Sequence, residues 1–152
     1  MSADGIDLVM ELEGFRKFPY EDCAGFPTVG YGHKIDADTH DFDGGINLKQ
    51  ALALLMIDIA RAEADVNRLV KVPLTQGQFD ALVDFTFNMG CGKLAHSSLL
   101  AALNAGRYAA VPDQLYRADA DGTQHGWIFA GVEVEPGLVR RRQKEIELWR
   151  GI

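Results

Sequence analysis

The feature that most limits the fold of this chain is a long amphipathic helix predicted over residues 47–70. Asn47 and Gln50 stand three residues apart, which is the spacing of a capping box, and Pro73 ends the helix. Apolar residues recur along it at helical spacing: Leu52, Leu55, Met56, Ile59, Val66, Leu69 and Val70. A helix of about 23 residues is roughly 35 Å long. In a chain of 152 residues, we expect it to bridge two lobes and to pack this stripe into the core.

The rest of the chain predicts one short β-rich segment and several further helices. Between residues 15 and 35, glycine and proline break the helical period while aromatic and β-branched residues favour strands. An antiparallel hairpin or a three-stranded sheet is therefore expected there. Periodicity and capping residues predict helices over about 3–13, 75–88, 97–104 and 108–116, and from 137 onward. Residues 119–136 are predicted as a loop that can hold one short hairpin.

A carboxylate ends the first predicted helix on its apolar face. Ile6, Val9 and Met10 share that face at i, i+3 and i+4. Glu13 follows at i+7, just before Gly14, which is a common helix stop. Apolar surroundings and the negative end of the helix dipole favour the protonated carboxyl group that a general acid needs. The alternative is a frayed terminal glutamate in water.

A second carboxylate, Asp22, and a hydroxyl, Thr28, follow within the predicted sheet and close to its turns. They belong to the stretch EGFRKFPYEDCAGFPTVGYGH, residues 13–33. Two carboxylates and a hydroxyl at short spacing suit acid-assisted hydrolysis by an activated water. This set is the candidate catalytic group of the chain.

Two other polar positions are predicted to be partly buried. Arg140, Arg141 and Arg142 cover more than half of the last helix's circumference, so at least one should face inward and pair with a carboxylate. The alternative is three solvated arginines. Asn88 stands at the exit of a helix that is apolar nearly all round. It either hydrogen-bonds a sugar amide or caps the helix.

The formal charge of −7 argues against several partners. Nucleic-acid binding needs a basic face, so no nucleic acid is expected. The charge also gives no electrostatic help in approaching a polyanionic surface. No apolar run approaches the roughly 20 residues that span a bilayer, and the first residues lack the basic start of a secretory signal. Stable membrane insertion is therefore not expected.

Two cysteines and one acidic loop complete the candidate chemistry. Cys23 and Cys91 are interpreted as free thiols in a reducing compartment. Cys23 with His33 leaves open a thiol amidase, although no thiol-protease signature surrounds it. Residues 36–45 alternate potential calcium ligands, Asp36, Asp38 and His40, but they do not match the pattern of an EF-hand loop. A solvated acidic turn is expected, with no metal and no cofactor.

Four motifs in order give the chain a family resemblance. They are Glu13-Gly14-Phe15-Arg16 with Tyr20, Asp22, Gly25, Thr28 and Gly30-Tyr31-Gly32-His33; Gln78-Phe79-Asp80-Ala81-Leu82 running to Phe87-Asn88-Met89-Gly90; Ser97-Ser98-Leu99-Leu100 with Leu103-Asn104; and Pro136-Gly137-Leu138 with Arg141-Arg142 and Glu145. Together they cover nearly the whole chain. With them, the chain resembles the phage-type lysozymes (endolysins of glycoside hydrolase family 24), most closely their lambdoid phage branch.

The resemblance implies a fold that is α+β and mainly helical, a single lysozyme-like domain with two lobes. The small β-hairpin or three-stranded-sheet lobe would span about residues 14–60. The long linking helix would span about 47–70. The helical lobe would comprise about 71–152 together with the N-terminal helix 3–13. The cleft between the lobes would bind peptidoglycan glycan strands.

The resemblance also implies a role for each site residue. Glu13 would be the general acid, while Asp22 and Thr28 would flank the attacking water. The substrate-binding residues would be Gly32, Phe87, Asn88 and Met89. His33 would be structural. Arg141 is the expected cationic partner of Glu13, with Arg140 or Arg142 as alternatives.

The expected activity is hydrolysis of the β-1,4 bond between N-acetylmuramic acid and N-acetylglucosamine, with inversion, for host cell lysis. Inversion requires the two carboxyl groups to lie roughly 6.5–9.5 Å apart. The enzyme would be a monomer that stays in the host cytoplasm until a membrane lesion, as from a holin, releases it to the periplasm and cell wall. The acidic charge departs from many basic relatives. The alternatives are a catalytically inactive glycan-binding relative and a lytic transglycosylase.

Overall fold

The computed structural model describes residues 1–22, 25–35 and 42–152. Within these ranges the fold is α+β and mainly helical, as predicted. The helices are α1 (Ala3–Glu13), α2 (Leu48–Leu69), α3 (Gln76–Met89), α4 (Cys91–Ala95), α5 (Ser98–Asn104), α6 (Val111–Leu115) and α7 (Pro136–Arg150). The strands are β1 (Arg16–Glu21), β2 (Pro27–Gly30), β3 (His33–Lys34), β4 (Tyr116–Ala118), β5 (Gln124–Gly126), β6 (Phe129–Ala130) and β7 (Glu133–Val134).

The predicted three-stranded sheet is confirmed, with antiparallel order β1-β2-β3. Tyr20 pairs with Thr28 across β1 and β2, and Thr28 pairs with Lys34 across β2 and β3. The end of β2 lies close against α2, because a Cβ at Gly30 would come within 3.3 Å of the Ala51 Cβ. Thr28 therefore sits on the central strand, at the middle of the small lobe.

Helix α2 begins with the predicted capping box of Asn47 and Gln50. Its buried residues are Ala51, Leu55, Ile59, Ala62 and Val66. The predicted stripe is wrong at two positions, because Leu52 and Met56 remain 40% and 42% exposed. Leu52 and Met56 each come one position after a buried residue. One position along a helix is a rotation of about 100° around its axis, so both side chains lie at the edge of the apolar face.

Helix α3 is the central helix of the larger lobe, as predicted. It starts with the capping box of Thr75 and Gln78, and it packs against α1, α2 and α7. Its buried run covers residues 80–86 and includes two carboxylates, Asp80 and Asp84. These acids lie on a helix that is otherwise buried through apolar side chains, so each needs a polar partner.

The region after α5 differs from its prediction. A 3-10 turn over Tyr108–Ala110 and the short α6 replace the single helix expected from 108 to 116, and Tyr116 already begins β4. Two hairpins, β4-β5 and β6-β7, replace the expected loop with one short hairpin. Helix α7 begins at Pro136, one residue earlier than expected. Among the described residues, no helix combines the length and apolar character that crossing a bilayer demands.

Candidate active site

Glu13 is the last residue of α1, where Gly14 ends the helix at a φ of 69°. Its Oε1 accepts a hydrogen bond of 2.5 Å from Arg141 Nη1. The Glu13 side chain is 22% exposed and that of Arg141 only 6%. The other oxygen, Oε2, faces Gly32, where a Cβ would come within 3.1 Å of it. Arg141 therefore holds one oxygen of the Glu13 carboxyl group, while the other oxygen lies close to the turn before β3.

Asp22 follows β1 and is held in a turn. Its Oδ1 accepts a hydrogen bond of 2.8 Å from the Phe26 backbone N–H, and its Oδ2 lies 3.2 Å from Lys34 Nζ. The ammonium group also stands 4.0 Å from the centre of the Phe26 ring. The hydrogen bond from the Phe26 N–H and the ion pair with Lys34 favour an ionised Asp22 with a fixed orientation.

Thr28 lies next to this turn on β2 and is only 2% exposed. Its Oγ1 donates a hydrogen bond of 2.9 Å to the Phe26 carbonyl oxygen. A hydroxyl has one proton and two lone pairs. With the proton directed at the backbone, Thr28 Oγ1 can act as an acceptor for a water.

A cavity of about 310 Å³ lies between the small sheet, α2 and the end of α3. Its described lining residues are Gly32, Lys34, Asp58, Arg61, Ala62, Asp65, Thr86, Phe87 and Cys91. Gly32 lies beside Glu13, since a Cβ built on it would come within 3.1 Å of Oε2, and Lys34 pairs with Asp22. Both predicted carboxylates are thus linked to the sheet side of one cavity.

The cavity lining includes some of the residues expected at the cleft and adds others. Gly32 and Phe87 meet in this cavity. Among the described residues that line it, Asn88 and Met89 are absent. The polar face of α2 adds groups that the sequence analysis did not single out, notably Asp58, Arg61 and Asp65. Their signal was available, because acidic and basic residues three apart on one helix mark an exposed charged face.

Asn88 is engaged by the protein itself. Its Oδ1 accepts a hydrogen bond of 2.9 Å from Arg142 Nη2. The helix cap is Gly90, whose N–H bonds the Thr86 carbonyl. The capping alternative for Asn88 is therefore wrong, because a glycine at a φ of 87° takes that position. The NH₂ group of Asn88 is the part of its amide that this hydrogen bond does not use.

His33 ties the sheet to the long helix. Its Nδ1 lies 2.7 Å from Asp58 Oδ2, and its ring meets that of Phe42 edge-on at 6.4 Å. The partner of this imidazole is therefore a residue of α2. This geometry fits the structural role expected for His33.

The arginines of α7 divide into two buried residues and one exposed. Arg141 and Arg142 are 5% and 0% exposed, whereas Arg140 is exposed and pairs with Glu11. The expectation of at least one inward arginine is confirmed twice, and Arg141 is the partner of Glu13. Arg141 also pairs with Asp84 through Nε at 2.9 Å and Nη2 at 2.8 Å.

Burial and neighbouring charges shift the pKa values of Arg141 and Glu145. Burial of Arg141 works to lower its pKa, but the carboxylates of Asp84 and Glu13 outweigh this effect and raise it above the ordinary value. Burial raises the pKa of Glu145 well above its ordinary value, against the pull of Arg142. Glu145 accepts a hydrogen bond of 2.6 Å from Arg142 Nη2.

The remaining candidates that the structure describes, Cys91 and His33, do not form a second site. Burial raises the pKa of the Cys91 thiol, which disfavours a nucleophilic thiolate. Cys23 lies outside the described residues, and His33 is paired with Asp58. Asp36, Asp38 and His40 also lie outside the described ranges. Elsewhere in the described chain, no cluster of three or more histidine, cysteine or acidic residues has an arrangement suited to a metal ion.

A mainly helical α+β fold with a small sheet lobe, and with two carboxylates next to residues that line the cavity between sheet and helices, is of the lysozyme type. A sequence model of the family described as phage lysozyme matches residues 10–145. An endolysin of Acyrthosiphon pisum secondary endosymbiont phage 1 is 37% identical, over 98% of this chain and 97% of its own length. A SAR-endolysin of Escherichia phage Mu is 37% identical, over 93% of this chain and 75% of its own.

Solved structures agree with the sequence comparison. The crystal structure of a mutant P22 lysozyme superposes with a TM-score of 0.76 at 32% identity, covering 99% of this chain and 97% of that one. The chain belongs to the phage lysozyme family. It is a glycoside hydrolase of the endolysin type, which hydrolyses peptidoglycan.

Proposed function

We propose that this enzyme cuts the β-1,4 bond between N-acetylmuramic acid and N-acetylglucosamine with inversion at the anomeric carbon. The observation that supports the proposal is that Glu13 and Asp22 each lie next to a residue that lines one cavity, although neither carboxylate is itself a lining residue. Gly32 lies beside the first carboxyl group and Lys34 pairs with the second. A proton donor and a carboxylate that serve the same cleft are what an inverting glycosidase needs.

Glu13 is the proposed general acid. It protonates the leaving glycosidic oxygen as positive charge develops on the sugar ring. Oε1 is taken by Arg141, so Oε2, on the side of Gly32, is the oxygen that carries the proton to the substrate. The Arg141 guanidinium then stabilises the glutamate left after proton transfer.

Asp22 and Thr28 are the proposed water-holding pair. The aspartate stabilises the positive charge that develops in the transition state and accepts a proton from the attacking water. Thr28 Oγ1 accepts the other proton of that water in a hydrogen bond, because its own proton is directed at the Phe26 carbonyl. Lys34 and the Phe26 N–H keep the carboxylate ionised and oriented.

The proposed substrate contacts lie along the same cleft. Phe87 and Gly32 both line the cavity, so a sugar ring bound there would meet an aromatic side chain and glycine backbone. Asn88 and Met89 follow at the end of α3, next to the lining residue Phe87. With its oxygen held by Arg142, Asn88 would donate its NH₂ group to a sugar amide carbonyl.

Digestion of purified peptidoglycan tests this function. Wild-type enzyme is expected to release fragments with new reducing ends, and mass analysis should show N-acetylmuramic acid at those ends. Glu13→Gln is expected to abolish release. Glu11→Gln is the matched control, because Glu11 lies on the same helix but is exposed and pairs with Arg140.

Each alternative outcome would overturn a different part of the proposal. Products that end in an anhydro-sugar would identify a lytic transglycosylase. Binding to peptidoglycan without release of fragments would identify an inactive glycan-binding relative. Equal release by Glu13→Gln and Glu11→Gln would remove Glu13 from the mechanism.

In the cell, we propose that the enzyme acts as a monomer that needs a membrane lesion, such as a holin makes, to reach its substrate. Before release it would remain in the host cytoplasm, and afterwards it would act at the cell wall. Expression in a host without a holin should then leave cells intact until the membrane is permeabilised. Lysis without permeabilisation would contradict this route, and sedimentation at the mass of a dimer would contradict the monomer.

A further inference from the structure

The contacts of Arg141 with its two carboxylate partners use all of its guanidinium nitrogens. Nε and Nη2 bind the two oxygens of Asp84, at 2.9 and 2.8 Å. Nη1 binds Glu13 Oε1. Because the guanidinium group is planar and rigid, two hydrogen bonds on one edge fix the direction of the third nitrogen. Asp84 thus determines where Arg141 places its contact with Glu13.

Asp84 is itself completely buried, and its neighbours explain how that charge is tolerated. Its side chain has no solvent exposure. The charged or titratable groups that face this cluster come from three helices: Glu13 from α1, Asp84 from α3, and Arg141, Arg142 and Glu145 from α7. Burial, and then the charge of Asp84 and hydrogen bonding with it, raise the pKa of the Glu145 carboxyl group.

The surroundings of Glu145 favour its protonated form. Glu145 is also fully buried, and its Oε1 accepts from Arg142. Its Oε2 has no hydrogen-bond donor among the described residues. A buried carboxylate oxygen without a donor is costly, whereas a protonated Glu145 donates to Asp84. Burial favours the same protonated state.

We propose that Asp84, with a protonated Glu145 beside it, is a positioning residue. It fixes the orientation of the Arg141 guanidinium group that binds the general acid Glu13. The proposal rests on the proposed catalytic role of Glu13. In addition to geometry, Asp84 shares the positive charge of Arg141. Without Asp84, that charge would act on Glu13 alone and favour its ionised form, which cannot donate a proton.

Asp84→Asn tests the proposal, with Asp80→Asn as the matched control. Asp80 is also a buried acid of α3, at 2% exposure, but its partners are Ser2 and Gln76 rather than Arg141. The assay is steady-state hydrolysis of a soluble peptidoglycan oligomer. For Asp84→Asn we expect kcat to fall by about a hundredfold with KM unchanged, as for a catalytic group that is misplaced by about 1 Å.

The pH profile separates positioning from a merely structural role. In Asp84→Asn the alkaline limb of kcat is expected to move to lower pH, because Glu13 ionises more readily beside an unshared Arg141. Asp80→Asn is expected to keep the wild-type profile. Glu145→Gln should reduce kcat far less than Asp84→Asn, since its amide can still donate to Asp84 and accept from Arg142.

Three results would overturn the proposal while leaving hydrolysis by the wild-type enzyme intact. The first is an Asp84→Asn enzyme with the kcat and pH profile of Asp80→Asn. The second is a loss in Glu145→Gln as large as that in Asp84→Asn. If Asp84→Asn does not fold, Arg141→Lys takes its place, because it keeps the positive charge and removes the planar guanidinium group. A wild-type kcat in that enzyme would be the third result. Failure of the wild type to release reducing ends would instead refute the proposed function.

Discussion

Replacing Gly32 with alanine would separate backbone strain from displacement of the general acid. Gly32 has a φ of +83°, and a Cβ there would lie 3.1 Å from Glu13 Oε2. Such a contact requires the carboxyl group to move by a few tenths of an ångström. Because Arg141 holds the other oxygen, Glu13 has little freedom to move without losing that hydrogen bond.

Gly106→Ala is the matched control for the strain. Gly106 has a φ of +75° with no atom within 4 Å of a built Cβ. Both substitutions should lower the free energy of unfolding by about 1–2 kcal/mol, the cost of the left-handed conformation for alanine. For a chain of this size the midpoint of thermal unfolding should fall by about 2–4 °C for each kcal/mol.

The two variants should differ in activity. Gly32→Ala is expected to lower kcat by about tenfold to a hundredfold, because the proton donor is displaced from the glycosidic oxygen. Gly106→Ala should keep wild-type kcat. Thermal unfolding and steady-state hydrolysis of a soluble peptidoglycan oligomer measure both quantities. Equal kcat values in the two variants would refute the argument that Gly32 is needed for the position of Glu13.

Three further predictions concern charges around the cleft. Lys34→Met should lower kcat by less than about tenfold, since Lys34 is 60% exposed and exposed ion pairs contribute at most about 1 kcal/mol. A wild-type kcat in steady-state hydrolysis would contradict a role for Lys34 in orienting Asp22. Glu145→Gln should make the free energy of unfolding in urea less dependent on pH. The pKa of Glu145 is raised in the folded protein, so its contribution to stability is fully present below its ordinary pKa of 4.5 and is lost as pH rises through the folded pKa. An unchanged slope of unfolding free energy against pH would contradict a protonated Glu145. His33→Ala should lower the free energy of unfolding by about 1–3 kcal/mol, since it leaves Asp58 without its partner on β3; wild-type stability in urea would contradict a structural role for His33.

Local signals in the sequence predicted most of the fold. The capping boxes at Asn47 and Thr75 depend on residues three apart, and both helices begin where those pairs predict. Predictions failed where packing decides the outcome. Leu52 and Met56 match the helical period, but only the neighbours of α2 determine which edge of its apolar face is covered. The division of the chain into lobes at particular residues stays a prediction.

The candidate site was predicted in part. Glu13, Asp22 and Thr28 follow from spacing and family resemblance, whereas their catalytic roles stay predictions. Three consecutive arginines point in three directions about 100° apart, so the sequence could not select Arg141 as the partner of Glu13. Asp84 was overlooked because its helix reads as apolar, although a buried acid in such a helix signals a buried cation nearby.

The most direct test of the central claim is the anomeric configuration of the first product. Proton NMR can follow hydrolysis of a soluble peptidoglycan oligomer before mutarotation equilibrates the new reducing end. A water held by Asp22 and Thr28 on the face opposite Glu13 predicts that the α-anomer appears first. Initial appearance of the β-anomer would contradict this account, because it would require a covalent intermediate in place of the directly attacking water.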